Sequence, residues 1–461
     1  MKKESLREVY KAEETAHGLE PLVNPTQWAN AGSAIFVEGS GVRIKTIDGR
    51  EFIDASSCGL CDVVGYGNRE VAEAAKEQMI KLMHSLSFGG SATIPKIELS
   101  SKLAELTPGV ERFFFENSGS DAVEAAMKAA RWYWRQKGRD KYKIISRERG
   151  YHGATFGAMS ATHVDDINNR DFEPLVPGFL YIPCPYCYRC PLGKVYDSCN
   201  IACATVLEET IQKEGEDTVA AFIAEPIIGG AGFIMPPGEY WPKIREICTR
   251  KNVLLIIDEV VTGFGRTGKF WAHQHWDIKP DLMTSSKGIT SGYIPMAAVG
   301  ISEEIYKGMI SSGRPYPHLH TFTGHPVACA VSLKVLEIME RENLVEKMAK
   351  MGGYIRERLT ILQEKSPYVG HVNGLGHMWG IEIVADKATK TRIKTKVPVI
   401  LQIRNHMLER GILYGSPSGL HRVEKPLPSD RMGLAPSAIA TREDIDFILD
   451  GLESAILSIQ P

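Results

Sequence analysis

A chain of 461 residues, 43% hydrophobic and 24% charged, is long enough for two or three domains with ample cores. Its 54 basic and 56 acidic side chains nearly cancel, which excludes a nucleic-acid or membrane surface held by bulk charge. No apolar run approaches the roughly 18 residues of a membrane-spanning helix, the first residues lack a signal-peptide core, and nine unevenly spaced cysteines make no secreted disulfide framework, so a cytoplasmic protein is expected.

Residues 1 to 30 read as helix and then loop, ending at Asn24-Pro25-Thr26-Gln27-Trp28. From Ile35 to Phe52 short apolar pieces alternate with turns, and Asp48-Gly49 is a hairpin signal. Residues 68 to 83 carry Val71, Ala74, Ala75, Met79 and Leu82 at helical spacing. From about 95 to 330, helical patterns alternate with short apolar strands at 113–115, 143–145, 220–224 and 253–257, the signature of βαβ units. Residues 326 to 365 are strongly helical, and 376 to 461 return to mixed strand and helix. The predicted fold is α/β: a large domain with a mostly parallel central sheet flanked by helices, and a smaller α+β domain. Neither terminal portion is large enough alone, so the two together are expected to form the smaller domain. The expected segments are 1–75, 76–330 and 331–461.

The stretch from 253 to 288 carries the most chemistry. Val253 to Ile257 is a wholly apolar, branched run, the pattern of a strand buried on both faces, and it ends at Asp258. Open α/β sheets bind ligands at such carboxyl ends. A second apolar piece, Asp281 to Thr284, leads to Lys287 among small residues. Pyridoxal phosphate needs a carboxylate for its ring nitrogen and a lysine for a Schiff base, and this pair offers both. Taken alone, the pair also fits two unrelated loops.

Other motifs are compatible with the same chemistry. Asn117-Ser118-Gly119-Ser120-Asp121 follows a strand and opens a helix, which suits either a phosphate on free backbone N–H groups or an ordinary N-cap. Gly150-Tyr151-His152-Gly153 sets an aromatic side chain between glycines, as a ring-stacking residue or a plain turn. Gly263-Phe264-Gly265-Arg266-Thr267-Gly268 matches a dinucleotide fingerprint, but no amphipathic helix follows, and that reading is rejected. Cys184, Cys187, Cys190, Cys199 and Cys203 have spacings that suit zinc or an iron–sulfur cluster. Their Pro- and Tyr-rich setting without histidine also fits reduced thiols on a surface excursion, and no metal site is assigned.

Glu225-Pro226, Asp258-Glu259-Val260, Ser286-Lys287-Gly288 and Thr321-Phe322-Thr323-Gly324-His325-Pro326 stand in one order, with Ser118-Gly119-Ser120 upstream. Over nearly its whole length the chain thereby resembles the class III aminotransferases, fold-type I pyridoxal-phosphate enzymes that include the ω-amino acid:pyruvate transaminases. The resemblance implies that Lys287 forms the Schiff base and shuttles the proton, and that Asp258 keeps the pyridine nitrogen protonated. It puts Val260 under the ring and Tyr151, beside His152, over it. Ser118, Gly119 and Ser120 would grip the phosphate, with Glu225 near the entrance. Thr321 would reach the phosphate of a neighbouring subunit in a homodimer or dimer of dimers. The implied partners are a small amino donor and a 2-oxo acid acceptor, with no nucleic acid and no membrane. The family's carboxylate-binding arginine has no counterpart at Gly433, so Arg422 and Arg431 are alternatives, and Leu60 stands where several amine transaminases carry a large aromatic. An amino-acid racemase or epimerase on the same scaffold would need the same Lys287 and Asp258. A non-catalytic binding module would not need to retain them.

Overall fold

A computed structural model describes residues 3–21, 23–86, 89–164, 169–414 and 430–459. Phe36–Ser40 (β1), Arg43–Thr46 (β2) and Glu51–Asp54 (β3) form an antiparallel meander. The Asp48-Gly49 turn joins β2 to β3, with Gly49 at φ +88° where a side chain would be strained.

Arg112–Glu116 (β4), Lys143–Arg147 (β5), Phe179–Ile182 (β6), Val219–Ala224 (β7), Leu254–Asp258 (β8), Leu282–Ser285 (β9) and Ala297–Ile301 (β10) form one sheet in the order β4-β10-β9-β8-β7-β5-β6. The pairs from β9 through β8, β7 and β5 to β6 are parallel; β10 alone runs antiparallel to both its neighbours. Every residue of β7 and β8 is buried, because helices cover both faces. On one face the alanines Ala122, Ala126 and Ala129 of the helix Gly119–Gln136 pack close against Ile223, Ile256 and Val299. On the other, Leu207, Trp241 and Ile244 cover Phe222, Leu255 and Ile257. The sequence reading named no strand at β6 or β10.

Val369–Leu375 (β11), Met378–Ile383 (β12), Ile412–Leu413 (β13) and Asp430–Leu434 (β14) complete the strands. β11, β12 and β14 form an antiparallel sheet, whereas β13 joins β3 in parallel, Ile412 opposite Ile53. Val42, Ile53 and Ala55 share a core with Ile355, Trp379, Ile403 and Leu452, so the two terminal portions pack together.

Both expected domain divisions fall inside helices. The division at 330/331 falls inside the helix Pro326–Arg341, whose Val331, Val335 and Leu336 pack with Leu99, Leu103 and Phe115 of the large unit. The division at 75/76 likewise falls inside the helix Arg69–Leu82, whose Val71 joins that core. Along this helix Met79 and Leu82 are exposed, while Gln78 is buried and donates to Leu82 O at 2.9 Å. Among the described residues no helix is long and apolar enough to cross a membrane.

Candidate active site

Asp258 ends β8 and lies opposite Thr284 of the adjacent parallel strand β9. Its Oδ1 accepts from the Thr284 hydroxyl and from Val260 N, each at 3.1 Å. Its Oδ2 lies 2.7 Å from His152 Nδ1. Asp258 and His152 are 2% and 3% exposed. An ionised carboxylate only accepts, so Nδ1 carries the proton in this contact. His152 Nε2 is buried and has no partner among the described residues.

Lys287 follows β9 by one residue past Ser286, and it sits at φ +49°. A lysine in the left-handed region costs roughly 1–2 kcal/mol and persists only where the surroundings impose it. Two contacts do so here. Ser286 Oγ donates to Met296 O at 2.8 Å, and Gly288 lies so close to Phe264 that a Cβ there would meet Phe264 Cβ at 2.9 Å. The Gly263–Gly268 run thus wedges the lysine turn. It leads into the short 3-10 turn Ala272–Trp276, in keeping with rejection of a dinucleotide site.

The turn after β4 meets the same place. A Cβ on Gly119 would lie 3.1 Å from Val260 Cγ1, tighter than ordinary contact, and 3.5 Å from Ser286 Cβ, so these three turns converge closely. Ser118 is the N-cap of the helix Gly119–Gln136: its Oγ accepts from Asp121 N at 3.2 Å and donates to Asp121 Oδ2 at 2.9 Å. That hydroxyl is therefore committed to capping. Ser120 Oγ accepts from Ala154 N at 3.1 Å, which leaves its proton to give. Gly153, at φ +140°, lies against Ser120.

Glu225, just past β7, is 3% exposed. It accepts from Tyr151 N at 3.1 Å and Gly229 N at 2.7 Å. Burial pushes its carboxyl above the usual range; His152 pulls it back, and the Asp258 carboxylate adds a smaller push upward. Tyr151 keeps 38% of its surface exposed. Gly119, Ser120, Tyr151, His152, Glu225, Asp258, Val260 and Lys287 are thus joined through direct contacts or shared turns at the carboxyl end of the sheet.

The remaining expected residues lie apart. Thr321 is exposed on the turn before Pro326–Arg341. Leu60, at φ +73°, packs against Ile227, Phe233, Met378 and Ala435. Arg431 lies in β14 with its guanidinium donating to Gly232 O, Phe233 O, Tyr186 OH and Asn373 Oδ1, so its donors serve the fold. Arg422 lies outside the described residues. Sequence reasoning also missed Thr284, although its place in the strand beside Asp258 was readable, and the triad at the end of β4. There Glu116 bridges His318 Nε2 at 2.8 Å and His320 Nδ1 at 2.5 Å, tying the approach to Thr321 onto the strand that leads to Gly119.

A family model described as Aminotransferase class-III matches residues 26–456. The chain belongs to the class III aminotransferases. It is 37% identical over 445 residues to a taurine–pyruvate aminotransferase of Bilophila wadsworthia, covering 94% of both chains. An (S)-enantioselective omega-transaminase from Thermomicrobium roseum superposes with a TM-score of 0.88 at 38% identity over 98% of each chain. An omega transaminase from Pseudomonas jessenii, solved in complex with PMP, gives 0.90 at 32% identity over 97% of each. Class III aminotransferases use pyridoxal 5'-phosphate, and the residues present fit it. Gly119 provides a cradle with no Cβ and N–H groups at a helix start. The Ser120 hydroxyl has a proton to donate, Asp258 is a buried carboxylate, and Lys287 stands in the turn after the adjacent strand.

Proposed function

We propose that this aminotransferase moves an amino group from an ω-amine or ω-amino acid to pyruvate or another 2-oxo acid. The observation that carries the reading is the pair Asp258 and Lys287 at the carboxyl ends of adjacent parallel strands. The likeness to the taurine–pyruvate enzyme and to the two ω-transaminases supports an ω-amine donor and, from the first of them, pyruvate as acceptor.

The cofactor, when bound, supplies the carbonyl that takes the amine and a ring that absorbs electrons from the substrate carbon. The chain's own groups do the rest. Lys287 would hold the cofactor, and its amine would carry the proton to and from the reacting carbon. Asp258 holds a proton on the ring nitrogen; Thr284, Val260 N and His152 hold Asp258. Val260 and Tyr151 would hold the ring, and Gly119 with Ser120 would hold the phosphate, while Ser118 caps the helix. Glu225 fixes the Tyr151 backbone at the entrance.

Homodimer formation is part of the reading. Met79, Ile80, Met83, Leu86, Ile94 and Phe322 are exposed apolar side chains of a kind that a second copy would cover, and Thr321 stands beside Phe322. Nine cysteines, none in a disulfide, suit a reducing compartment such as the cytoplasm. We place the domain divisions outside the helices Arg69–Leu82 and Pro326–Arg341.

The test is a panel of β-alanine, taurine, 4-aminobutyrate, putrescine and 1-phenylethylamine against pyruvate. Alanine formed from pyruvate together with the deaminated donor is the expected result. Inversion of a chiral amino acid without exchange of nitrogen would replace the reading with a racemase.

A further inference from the structure

Between β6 and the helix Ala202–Glu214 the chain makes an excursion that the proposed reaction does not use. Cys187, Cys190, Cys199 and Cys203 line one small cavity there of about 20 Å³, with Lys194 beside them. Each pair lies on a tight turn. Cys187 opens the 3-10 turn Cys187–Arg189 and Cys190 caps it. Cys199 caps the 3-10 turn Tyr196–Ser198, and Cys203 lies in the first turn of the helix Ala202–Glu214. Between the second pair, Asn200 and Ile201 both sit at positive φ, 48° and 51°, an unusual backbone for a β-branched residue. All four are free thiols. Cys184 also borders the cavity but is buried in an apolar cluster with Tyr186, Ile228 and Ile234.

We propose that Cys187, Cys190, Cys199 and Cys203 form a structural zinc site. Four sulfur ligands and no open position make the closed tetrahedral set of such sites, and spacings of two and three residues within the pairs are of the kind that paired ligands use. The cavity is the size of a single small guest. No three of the sulfurs yet lie within 4.8 Å of one another, and the Cys199 thiol is turned to Tyr196 O at 3.2 Å. Closing on the ion therefore takes side-chain rotation, above all at Cys199. Each thiol releases its proton to solvent as its sulfur binds, and the Lys194 ammonium offsets part of the resulting negative charge.

The site would stiffen a strut. The excursion lays Tyr186 OH and Arg189 Nε on Glu382 of β12, at 2.6 and 2.5 Å, and stacks Tyr188 on His371 of β11 at 4.9 Å. Through Tyr186 it also meets Arg431 of β14 at 2.9 Å. The zinc thus sits where the large sheet's edge leans on the terminal unit.

Elemental analysis of protein purified without chelator tests this, alongside Cys187→Ser and Cys203→Ser. About one zinc per subunit is expected in the wild type and less than about one-tenth in either variant, with a lower thermal midpoint. Should the variants fail to fold, the wild type decides alone. A mercurial reagent should release its zinc, and cobalt exchanged into the site should show sulfur-to-cobalt charge transfer. Wild-type protein that holds no zinc after incubation with the ion overturns the proposal. So does iron with sulfide, or a disulfide between any two of these cysteines in peptide maps.

Discussion

His152 Nδ1 lies 2.7 Å from Asp258 Oδ2, and the two side chains are almost wholly buried. His152 Nδ1, the Thr284 hydroxyl and Val260 N all converge on this carboxylate. Asp258→Asn keeps the shape and loses the charge. Turnover should fall by at least about a hundredfold, near 3 kcal/mol, with the loss in the half-reaction rate rather than in cofactor affinity. Single-turnover kinetics separate the two. If affinity alone changes, Asp258 merely positions the cofactor.

The strained backbone at Lys287, φ +49°, gives a second prediction. Lys287→Ala and Lys287→Gly should both lose turnover by several orders of magnitude and retain cofactor only non-covalently, as borohydride reduction and peptide mapping would show. Glycine tolerates this φ, so cofactor-free Lys287→Gly should be more stable than cofactor-free Lys287→Ala by about 1 kcal/mol. Denaturant melts that rank alanine higher would show that the turn is not strained in solution.

Thr321 tests the shared site. Lys287→Ala and Thr321→Ala are each impaired, but a mixed dimer would hold one site with both lesions and one with neither. Activity should recover in part after subunit exchange, and Thr321→Ala should retain cofactor poorly. A protein that sediments as a monomer at assay concentration and is fully active would end the idea.

A pH prediction comes from His377, buried behind Arg266. Burial and the Arg266 charge push its imidazole down to about 4, and its Nδ1 lies 3.3 Å from Pro436 O and 3.2 Å from Ser437 O. The unfolded histidine takes its proton near pH 6.5, the folded one only near 4. Unfolding between these values therefore takes up a proton, and stability falls as pH falls through that window, by about 3 kcal/mol in all. In His377→Asn the fall should be shallower by up to about 1.4 kcal/mol per pH unit. Denaturant unfolding at several pH values measures the slope; identical slopes would remove His377 as the cause.

The core of the site was legible because its residues sit in runs whose pattern is local. Val253 to Asp258 announces a buried strand and its end, and the 281–287 stretch does the same for the lysine. Strand β10 was not legible. Ala297 to Ile301 is small because the strand is inserted antiparallel between two others, and a Cβ on Gly300 would lie 2.6 Å from Val110 Cγ1. Nor did helical spacing reveal that Met79 faces outward while Gln78 is buried. Arg266 was read only as part of a glycine motif. Its burial depends on Ser57 Oγ, Asp62 O and Pro436 O at 3.0, 3.0 and 3.1 Å, partners far away in the chain.

The parallel pairing of Ile53 with Ile412 bears on how the protein is made. About 360 residues separate the two, so at roughly 5–20 residues per second a ribosome needs tens of seconds to deliver β13 after β3 has emerged. All seven strands of the large sheet are synthesised within that interval. The meander must wait beside them with one edge unpaired, and an unpaired edge is the kind of surface that recruits the wrong strand. Nascent chains stalled before residue 412 should therefore carry a finished cofactor sheet and an open meander, and chaperone capture should concentrate on the latter.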